Sequence, residues 1–227
     1  MCHVKGHGLS LVLGVAIALA LLATACTSND SFEGTELTSR DPAPDFRLTD
    51  QFGRPVALDE ISGEVVALTF LYTNCPDTCP LTTQTLRQAY DALGDDAARV
   101  RFVAISVDPA RDTPERTHAY SVHWDMLDKW TFLTGSEEDL EPVWRSYYVA
   151  AQRQEPQSGR SALEHLGQEL ATETVSEEEN LPATAAYLVG HSAPVYLMDR
   201  DRKMRIVFTS LTLDPEPLVR DIRQLLE

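Results

Sequence analysis

The chain has 227 residues and a formal net charge of −16, and this length suits one domain with extensions and a full hydrophobic core. Such acidity argues against binding to nucleic acid and against electrostatic attachment to anionic lipid. We interpret the charge as a solvated acidic surface that leaves room for cations or for a basic protein partner.

Residues 1–25 predict an export signal. Lys5 precedes an apolar run, residues 9–25, which has the length of a signal-peptide core and is at the short limit for a membrane span. Cys26 then follows small residues, as at a bacterial lipoprotein cleavage site, where the cysteine is acylated. Ala23 stands where such sites prefer leucine, so ordinary cleavage and an uncleaved anchor stay open. Every alternative exports the domain, and we predict a lipoprotein tethered outside the cytoplasm, in the periplasm or on the outer face of the cell membrane.

The segment 26–40 is polar and predicts a flexible tether, which places the folded domain at 41–227. A hairpin is expected over 45–56, and an almost continuous apolar run over 64–72 predicts a buried strand. A helix follows from Leu81. The next expected elements are a strand at 100–107, a helix from the capping box at Asp112 to about Asp128, a strand at 130–134, and a helix capped at Ser136 that runs to Tyr148.

Residues 152–184 interrupt this rhythm, because they are rich in Glu, Gln, Ser and Ala and have few apolar anchors. They predict an acidic surface loop inserted before the last strands. Strands are then expected at 186–189, 195–199 and 204–209, with a final helix from Asp214–Pro215. This α/β order, with cysteines directly after an early central strand, predicts a thioredoxin-like fold.

Cys75 and Cys79 are the candidate functional residues of the domain, since Cys2 leaves with the signal and Cys26 is the predicted lipid site. They lie where a strand turns into a helix, and a helix N-terminus favours the thiolate over the thiol. At this spacing the two sulfurs can form a disulfide, exchange thiols or bind a soft metal ion.

Several blocks of sequence resemble one family when they are read together. In order and spacing they are similar to the Sco/SenC family of copper-binding, membrane-tethered, thioredoxin-like proteins, over about residues 43–227. The blocks are FLYTNCPDTCP at 70–80, SVDPARDTP at 106–114, LTG at 133–135, YLVGHS at 187–192 and YLMD at 196–199.

The resemblance implies that Cys75, Cys79 and His191 form a copper site. It also implies a role in assembling the dinuclear copper centre of a respiratory haem-copper oxidase, such as cytochrome c oxidase. The expected partners are the copper-accepting subunit of that oxidase and an upstream copper donor protein.

Ligand chemistry agrees with this expectation. Soft thiolates select Cu(I), an added imidazole lets the site hold Cu(II), and zinc would need a fourth ligand. The alternative is a thiol–disulfide oxidoreductase that keeps the oxidase subunit reduced, with Cys75 and Cys79 as its redox pair and no need of His191. The third intervening residue and the histidine favour a metallochaperone over an enzyme.

Other histidines are weaker candidates. His123 and Met126 are three residues apart and resemble a second copper site, although use in the core or at the surface explains them more simply. His118 and His165 match no motif and are expected at the surface.

Smaller expectations concern the loops around the site. Asp77 either tunes the charge of the thiols or caps the helix, and Asp108 and Asp112 are explained by capping and loop rigidity, with partner docking as the alternative. Thioredoxins carry a cis-proline facing their thiols, so we predict a cis Ala193–Pro194 bond. The turn at 199–203 lacks the glycine usual in the family and should differ locally.

Overall fold

The computed structural model describes residues 31–61, 63–154 and 187–227, and the elements below belong to the unit Phe32–Glu227. The strands are β1 (Thr35–Glu36), β2 (Arg47–Thr49), β3 (Pro55–Ala57), β4 (Val65–Leu71), β5 (Val100–Ser106), β6 (Trp130–Leu133), β7 (Ala151–Gln154), β8 (Leu188–His191), β9 (Val195–Met198) and β10 (Met204–Phe208). The helices are α1 (Thr78–Leu93), α2 (Pro114–His123), α3 (Glu137–Ser146) and α4 (Glu216–Leu226).

Six of the strands form one mixed sheet in the order β1-β10-β9-β4-β5-β6. Strands β4, β5 and the edge strand β6 are parallel, while β9 runs antiparallel to β4 and β10 antiparallel to β9. All seven residues of β4 are buried, as expected of a parallel strand covered on both faces. The carboxyl end of β4 leads directly into the loop that carries the cysteines.

The predicted hairpin is the two-stranded ribbon β2–β3. It joins the rest of the domain through Thr49 and Thr134, whose backbone amides and carbonyls pair at 2.8 and 2.7 Å. Its apolar residues Phe46 and Leu48 are buried in the core.

The helices begin and end close to the predicted positions, with two corrections. The cap of α2 is Thr113, whose side chain accepts a hydrogen bond from the amide of Arg116; the side chain of Asp112 is used elsewhere, so its predicted capping role is wrong. The helix also stops at His123, because Asp125 takes a left-handed φ of 56° that ends helical geometry. In α3, Ser136 and Asp139 form the expected capping box.

Two stretches that are predicted to lie outside the regular elements, residues 33–36 and 152–154, belong to the folded domain. The amides of Glu33 and Gly34 donate to the buried carboxylate of Asp221 at 2.8 and 2.9 Å, and β1 pairs with β10. The predicted tether therefore includes residues that contact the domain. Residues 152–154, expected in the surface loop, belong to β7 and pair with β8. The rest of that loop, from residue 155, and Cys26 lie outside the described residues.

The turn at 199–203 is built without a glycine. Arg202 adopts a left-handed φ of 59°, and its guanidinium donates to the carbonyls of Ile61 and Gly63. Among the described helices, none combines the length and the apolar character required to cross a membrane.

Candidate metal centre

The cysteine loop follows β4 and turns into α1. Cys75 lies in the loop and is partly exposed, whereas Cys79 lies in the first turn of the helix and is fully buried. The backbone amide of Cys79 donates to the sulfur of Cys75 at 3.4 Å. Asp77 occupies the cap position, but its side chain makes no capping bond. The sulfur of Cys75 therefore caps the helix, which is one of the two roles predicted for Asp77.

His191 reaches the same place from the end of β8. Its Nε2 lies 3.5 Å from the sulfur of Cys79, and its Nδ1 lies 2.9 Å from the carbonyl oxygen of Ser192. Since a carbonyl only accepts, Nδ1 carries the proton in this contact, and the Nε2 lone pair is directed to the thiols. The ring of Tyr72 packs edge-on against the imidazole, with centroids 5.5 Å apart.

The three predicted ligand residues therefore come together, although they lie up to 116 positions apart along the chain. The two sulfurs and one imidazole nitrogen lie within 4.8 Å of one another. Donor atoms about 2.3 Å from a three-coordinate ion are about 4 Å apart, so little rearrangement would be needed to bind one. In the described part of the chain this is the one group of three or more such side chains with metal-binding spacing.

The pKa values of the two cysteine thiols are shifted in opposite directions. The pKa of Cys75 is lowered to about 3, chiefly because the thiol of Cys79 donates to it; the amides of Asp77 and Cys79 act in the same direction, against burial. The pKa of Cys79 is raised, because its proton is shared with Cys75 and because it is buried. The pair therefore holds one proton, on the buried sulfur, and presents a thiolate on the accessible one.

The buried carboxylate of Asp112 holds the start of the cysteine loop by hydrogen bonds. Its carboxylate accepts from the amide and the hydroxyl of Thr73, at 3.1 and 2.6 Å, and from the hydroxyl of Ser106 at 2.6 Å. Burial raises the pKa of Asp112 to about 6, even though these hydrogen bonds favour the carboxylate.

Asp108 and Arg111 support the histidine strand. Asp108 accepts from the hydroxyl of Tyr187 at 2.5 Å and from the guanidinium of Arg111, which also donates to the carbonyl of Tyr187 at 2.9 Å. The sequence predicts that both carboxylates of this loop cap or stiffen it. Arg111 and Tyr187 are not among the predicted candidates, although both lie inside the motif blocks.

The remaining predicted candidates do not join the site. His123 is exposed while Met126 is completely buried, so they do not form a second copper site. His118 is partly buried and packs edge-on against Phe52, and His165 lies outside the described residues.

The predicted cis Ala193–Pro194 bond is wrong, because the described residues contain no cis peptide bond. The trans form is the default for a residue–proline bond. The pairing of β7 with β8 and the contact of His191 with Ser192 hold the histidine segment without it.

A groove of about 250 Å³ opens beside the three side chains. It runs from His191 along the first turns of α1, where Leu81 is 46% exposed. The groove gives a route from solvent to the imidazole edge of the site. Its lining residues are Thr78, Leu81, Thr82, His191, Ser192, Ala193, Thr209, Ser210 and Leu211.

The class of the protein is defined by two features. It has a thioredoxin-like sheet, and a thiol pair at the end of the central strand lies beside a histidine. The SCO1/SenC family model matches residues 35–170, more than half of the chain. The chain therefore belongs to the SCO1/SenC family.

Individual relatives agree with this assignment. The SCO1 protein homolog of Bacillus subtilis is 33% identical over 98 residues, which cover 42% of this chain and about half (51%) of that protein. An SCO2-like protein of Rickettsia conorii is 31% identical over 144 residues, covering 62% and 69%. The crystal structure of Arabidopsis thaliana ScoI with copper bound is 29% identical, with a TM-score of 0.61 over 81% of this chain and 99% of that one. These likenesses confirm the predicted thioredoxin-like fold.

Proposed function

We propose that this protein is a copper metallochaperone that binds one copper ion through Cys75, Cys79 and His191. The observation that carries the proposal is the approach of two sulfurs and one imidazole nitrogen to within 4.8 Å. Copper is present in the Arabidopsis relative, and a putative copper-binding protein of Stutzerimonas stutzeri is 31% identical over 133 residues.

The donor set explains why copper suits the site better than zinc. Two thiolates are soft ligands that stabilise Cu(I), and the imidazole completes a trigonal site in which Cu(II) is also stable. Structural zinc sites are tetrahedral, and the described residues place no fourth His, Cys, Asp or Glu ligand in this group.

Exposure of the ligands suggests how the ion is released. Cys75 and His191 are partly exposed, whereas Cys79 is buried. Donor atoms of an acceptor protein therefore displace His191 and Cys75 first, and Cys79 last. Release proceeds by exchange of one ligand at a time, so the ion need not pass through water.

The family and the predicted export signal support a proposal for the place of this activity. The protein acts outside the cytoplasm, tethered to the cell membrane by lipid on Cys26 or by an uncleaved anchor, and delivers copper to the dinuclear centre of a respiratory haem-copper oxidase. Its acidic surface, with a net charge of −16 for the whole chain, favours a partner with a basic docking face.

A second function, thiol–disulfide exchange, is favoured by the unequal cysteine pair. The Cys75 thiolate would attack a substrate disulfide, form a mixed disulfide and release one substrate thiolate. The Cys79 sulfur would then attack Cys75 as its proton passes to the second leaving thiolate, giving the Cys75–Cys79 disulfide; with one proton from water on the first thiolate, the substrate becomes a dithiol. The substrate gains two electrons and the cysteine pair loses two, so a reductant of the thioredoxin type must regenerate the dithiol.

Copper titration of the reduced protein tests the first proposal. We expect one copper per chain and a thiolate-to-copper charge-transfer band that is absent from Cys75→Ser and strongly altered in His191→Ala. The matched control is His123→Ala, because His123 is an exposed histidine outside the site. Equal Cu(II) affinity in wild type and His191→Ala would contradict the three-ligand proposal.

The second function is distinguished by the same variants. The result would establish an oxidoreductase in place of a metallochaperone if the wild-type protein retained no copper and His191→Ala still reduced a disulfide substrate. Loss of copper from the oxidase in cells that carry only His191→Ala, reversed by the wild-type chain, would support delivery to the oxidase, because thiol–disulfide exchange does not need His191.

A further inference from the structure

We propose that the 108–112 loop, which joins β5 to α2, positions both halves of the centre: Asp112 fixes the cysteine loop, and Asp108 with Arg111 fixes the strand of His191. This inference rests on the proposed copper site. It assigns Tyr187 and Thr73, which touch no ligand atom, the role of positioning residues.

The cysteine half is held through Thr73, two residues before Cys75. The carboxylate of Asp112 accepts from the Thr73 hydroxyl at 2.6 Å and from its amide at 3.1 Å. Asp112 itself is 1% exposed. Two hydrogen bonds from one residue to one buried carboxylate fix the direction in which the chain enters the cysteine loop.

The histidine half is held through Tyr187, four residues before His191 and just before β8. Its hydroxyl donates to Asp108, its carbonyl accepts from Arg111, and the Arg111 guanidinium lies 3.8 Å above its ring centroid. Asp108 is 2% exposed. Side chain and backbone of Tyr187 are therefore both attached to the 108–112 loop.

The two attachments belong to one rigid unit. The hydroxyl of Ser106 accepts from the amide of Asp108 at 3.0 Å and donates to Asp112 at 2.6 Å. The amide of Asp112 also donates to the carbonyl of Asp108 at 2.9 Å. A displacement of Asp108 relative to Asp112 would break these bonds, so the loop fixes the spacing between the two anchored residues.

Tyr72 lies between the halves and transmits the same constraint. Its hydroxyl accepts from the amide of Val189 in β8 at 3.3 Å, and its ring contacts the imidazole of His191. The guanidinium carbon of Arg111 lies 5.8 Å from its ring centroid. The side chain that orients the imidazole is thus packed against the loop that holds Tyr187.

Breaking the two attachments should weaken copper binding in different ways. Tyr187→Phe removes the hydroxyl that donates to Asp108 and releases only the histidine half. Because two thiolates still hold Cu(I), the affinity of Tyr187→Phe for Cu(I) should stay within about twofold of wild type. Its affinity for Cu(II) should fall about tenfold, which is the usual effect of removing a residue that supports a metal ligand through hydrogen bonds. Thr73→Val removes a hydroxyl bond to Asp112 and releases the cysteine half, so both oxidation states should be bound about tenfold more weakly.

Tyr147→Phe is the matched control, since this buried tyrosine donates its hydroxyl to the carbonyl of Pro44 at 2.8 Å, away from the centre. Loss of a buried hydrogen bond lowers stability in both tyrosine variants. Only Tyr187→Phe should change Cu(II) affinity and the charge-transfer band. Arg111→Lys, which keeps the charge but loses the planar fork, replaces Tyr187→Phe if that variant does not fold.

The experiment measures Cu(I) and Cu(II) affinity in the full chain, together with the NMR contact between the His191 and Tyr72 rings without metal. Selective loss of Cu(II) and weakening of the ring contact in Tyr187→Phe support the proposal. Identical behaviour of Tyr187→Phe and Tyr147→Phe in both measurements overturns it. Failure of the wild type to bind copper would overturn the proposed function, while the ring contact would still decide the positioning role.

Discussion

The backbone amide of Cys79 donates a hydrogen bond to the sulfur of Cys75 across 3.4 Å. The sulfur thereby occupies the place of a helix cap, and the pKa of Cys75 is lowered to about 3, mainly through the thiol of Cys79. The Cys79 thiol, with a smaller contribution from this amide, makes the accessible cysteine a thiolate before any metal or substrate arrives.

Alkylation of the reduced protein checks the inequality of the two thiols. Because Cys75 is already ionised, its reaction with iodoacetamide should change less than about twofold between pH 5 and 8, whereas an ordinary thiol accelerates about a thousandfold over this range. Peptide mass spectrometry should find the label on Cys75, and Cys75→Ser should leave the buried Cys79 almost unlabelled. A Cys75 rate that rises tenfold with each pH unit would contradict the assignment.

The buried carboxyl of Asp112 predicts a pH-dependent stability. Burial raises its pKa in the folded protein to about 6, from its usual value of 3.8, so between these values the folded state binds more protons than the unfolded state. The contribution of Asp112 to the free energy of unfolding is therefore greatest below about pH 4 and falls as the pH rises to about 6.

Urea unfolding of wild type and Asp112→Asn between pH 4 and 7 measures this effect. The stability of the variant relative to wild type should rise up to about pH 6 and then become constant. Asp50→Asn is the control: burial opposes ionisation there, but bonds from Arg54 and from backbone amides outweigh it and lower the pKa of Asp50 below its usual value of 3.8. Asp50 is therefore ionised in both states over almost all of this range, so the relative stability of Asp50→Asn should stay nearly constant, and equal slopes for the two variants would contradict the account.

The central strand should dominate the stability of the domain. Leu68 is completely buried in β4, so Leu68→Ala should lower the free energy of unfolding by about 2–5 kcal/mol. Leu213 is 54% exposed, and Leu213→Ala should change it by less than about 0.5 kcal/mol. Denaturant unfolding measures both changes, and similar values would show that β4 is not at the centre of the core.

The attachment of the first described residues depends on Asp221. Its carboxylate accepts from the amides of Glu33 and Gly34, so Asp221→Ala should free this segment and speed amide hydrogen exchange at residues 33–36. Arg220→Ala is the control, since Arg220 meets Glu33 only at the surface, where such pairs contribute little. Unchanged exchange in Asp221→Ala would show that β1 is held by its pairing with β10 without help from Asp221.

Local sequence patterns predict the elements that lie near the site. The buried strand, the cysteine turn and the hairpin each have a short-range signal, namely an apolar run, a helix start and an alternating ribbon. The strand-to-helix turn also singles out Cys75 and Cys79, whereas His191 is indicated only by the family resemblance of its block; the structure brings the three together. The order of the elements and the position of the cysteines are together sufficient to predict the thioredoxin-like arrangement.

Features that depend on distant partners could not be predicted. Asp112 stands in a good capping position, yet its carboxylate bonds to Thr73, 39 residues away, and the cap passes to Thr113. The pairing of Ala151–Gln154 with β8 joins polar residues whose sequence indicates a loop. In both cases tertiary contacts decide the structure against the local signal.

X-ray absorption spectroscopy of the copper-loaded protein tests the central claim most directly, because it counts the donor atoms around the metal. The account predicts two sulfur donors and one imidazole nitrogen in wild type and in His123→Ala, and loss of the imidazole contribution in His191→Ala. Copper bound without sulfur donors, or an imidazole contribution that survives in His191→Ala, would contradict a centre built from Cys75, Cys79 and His191.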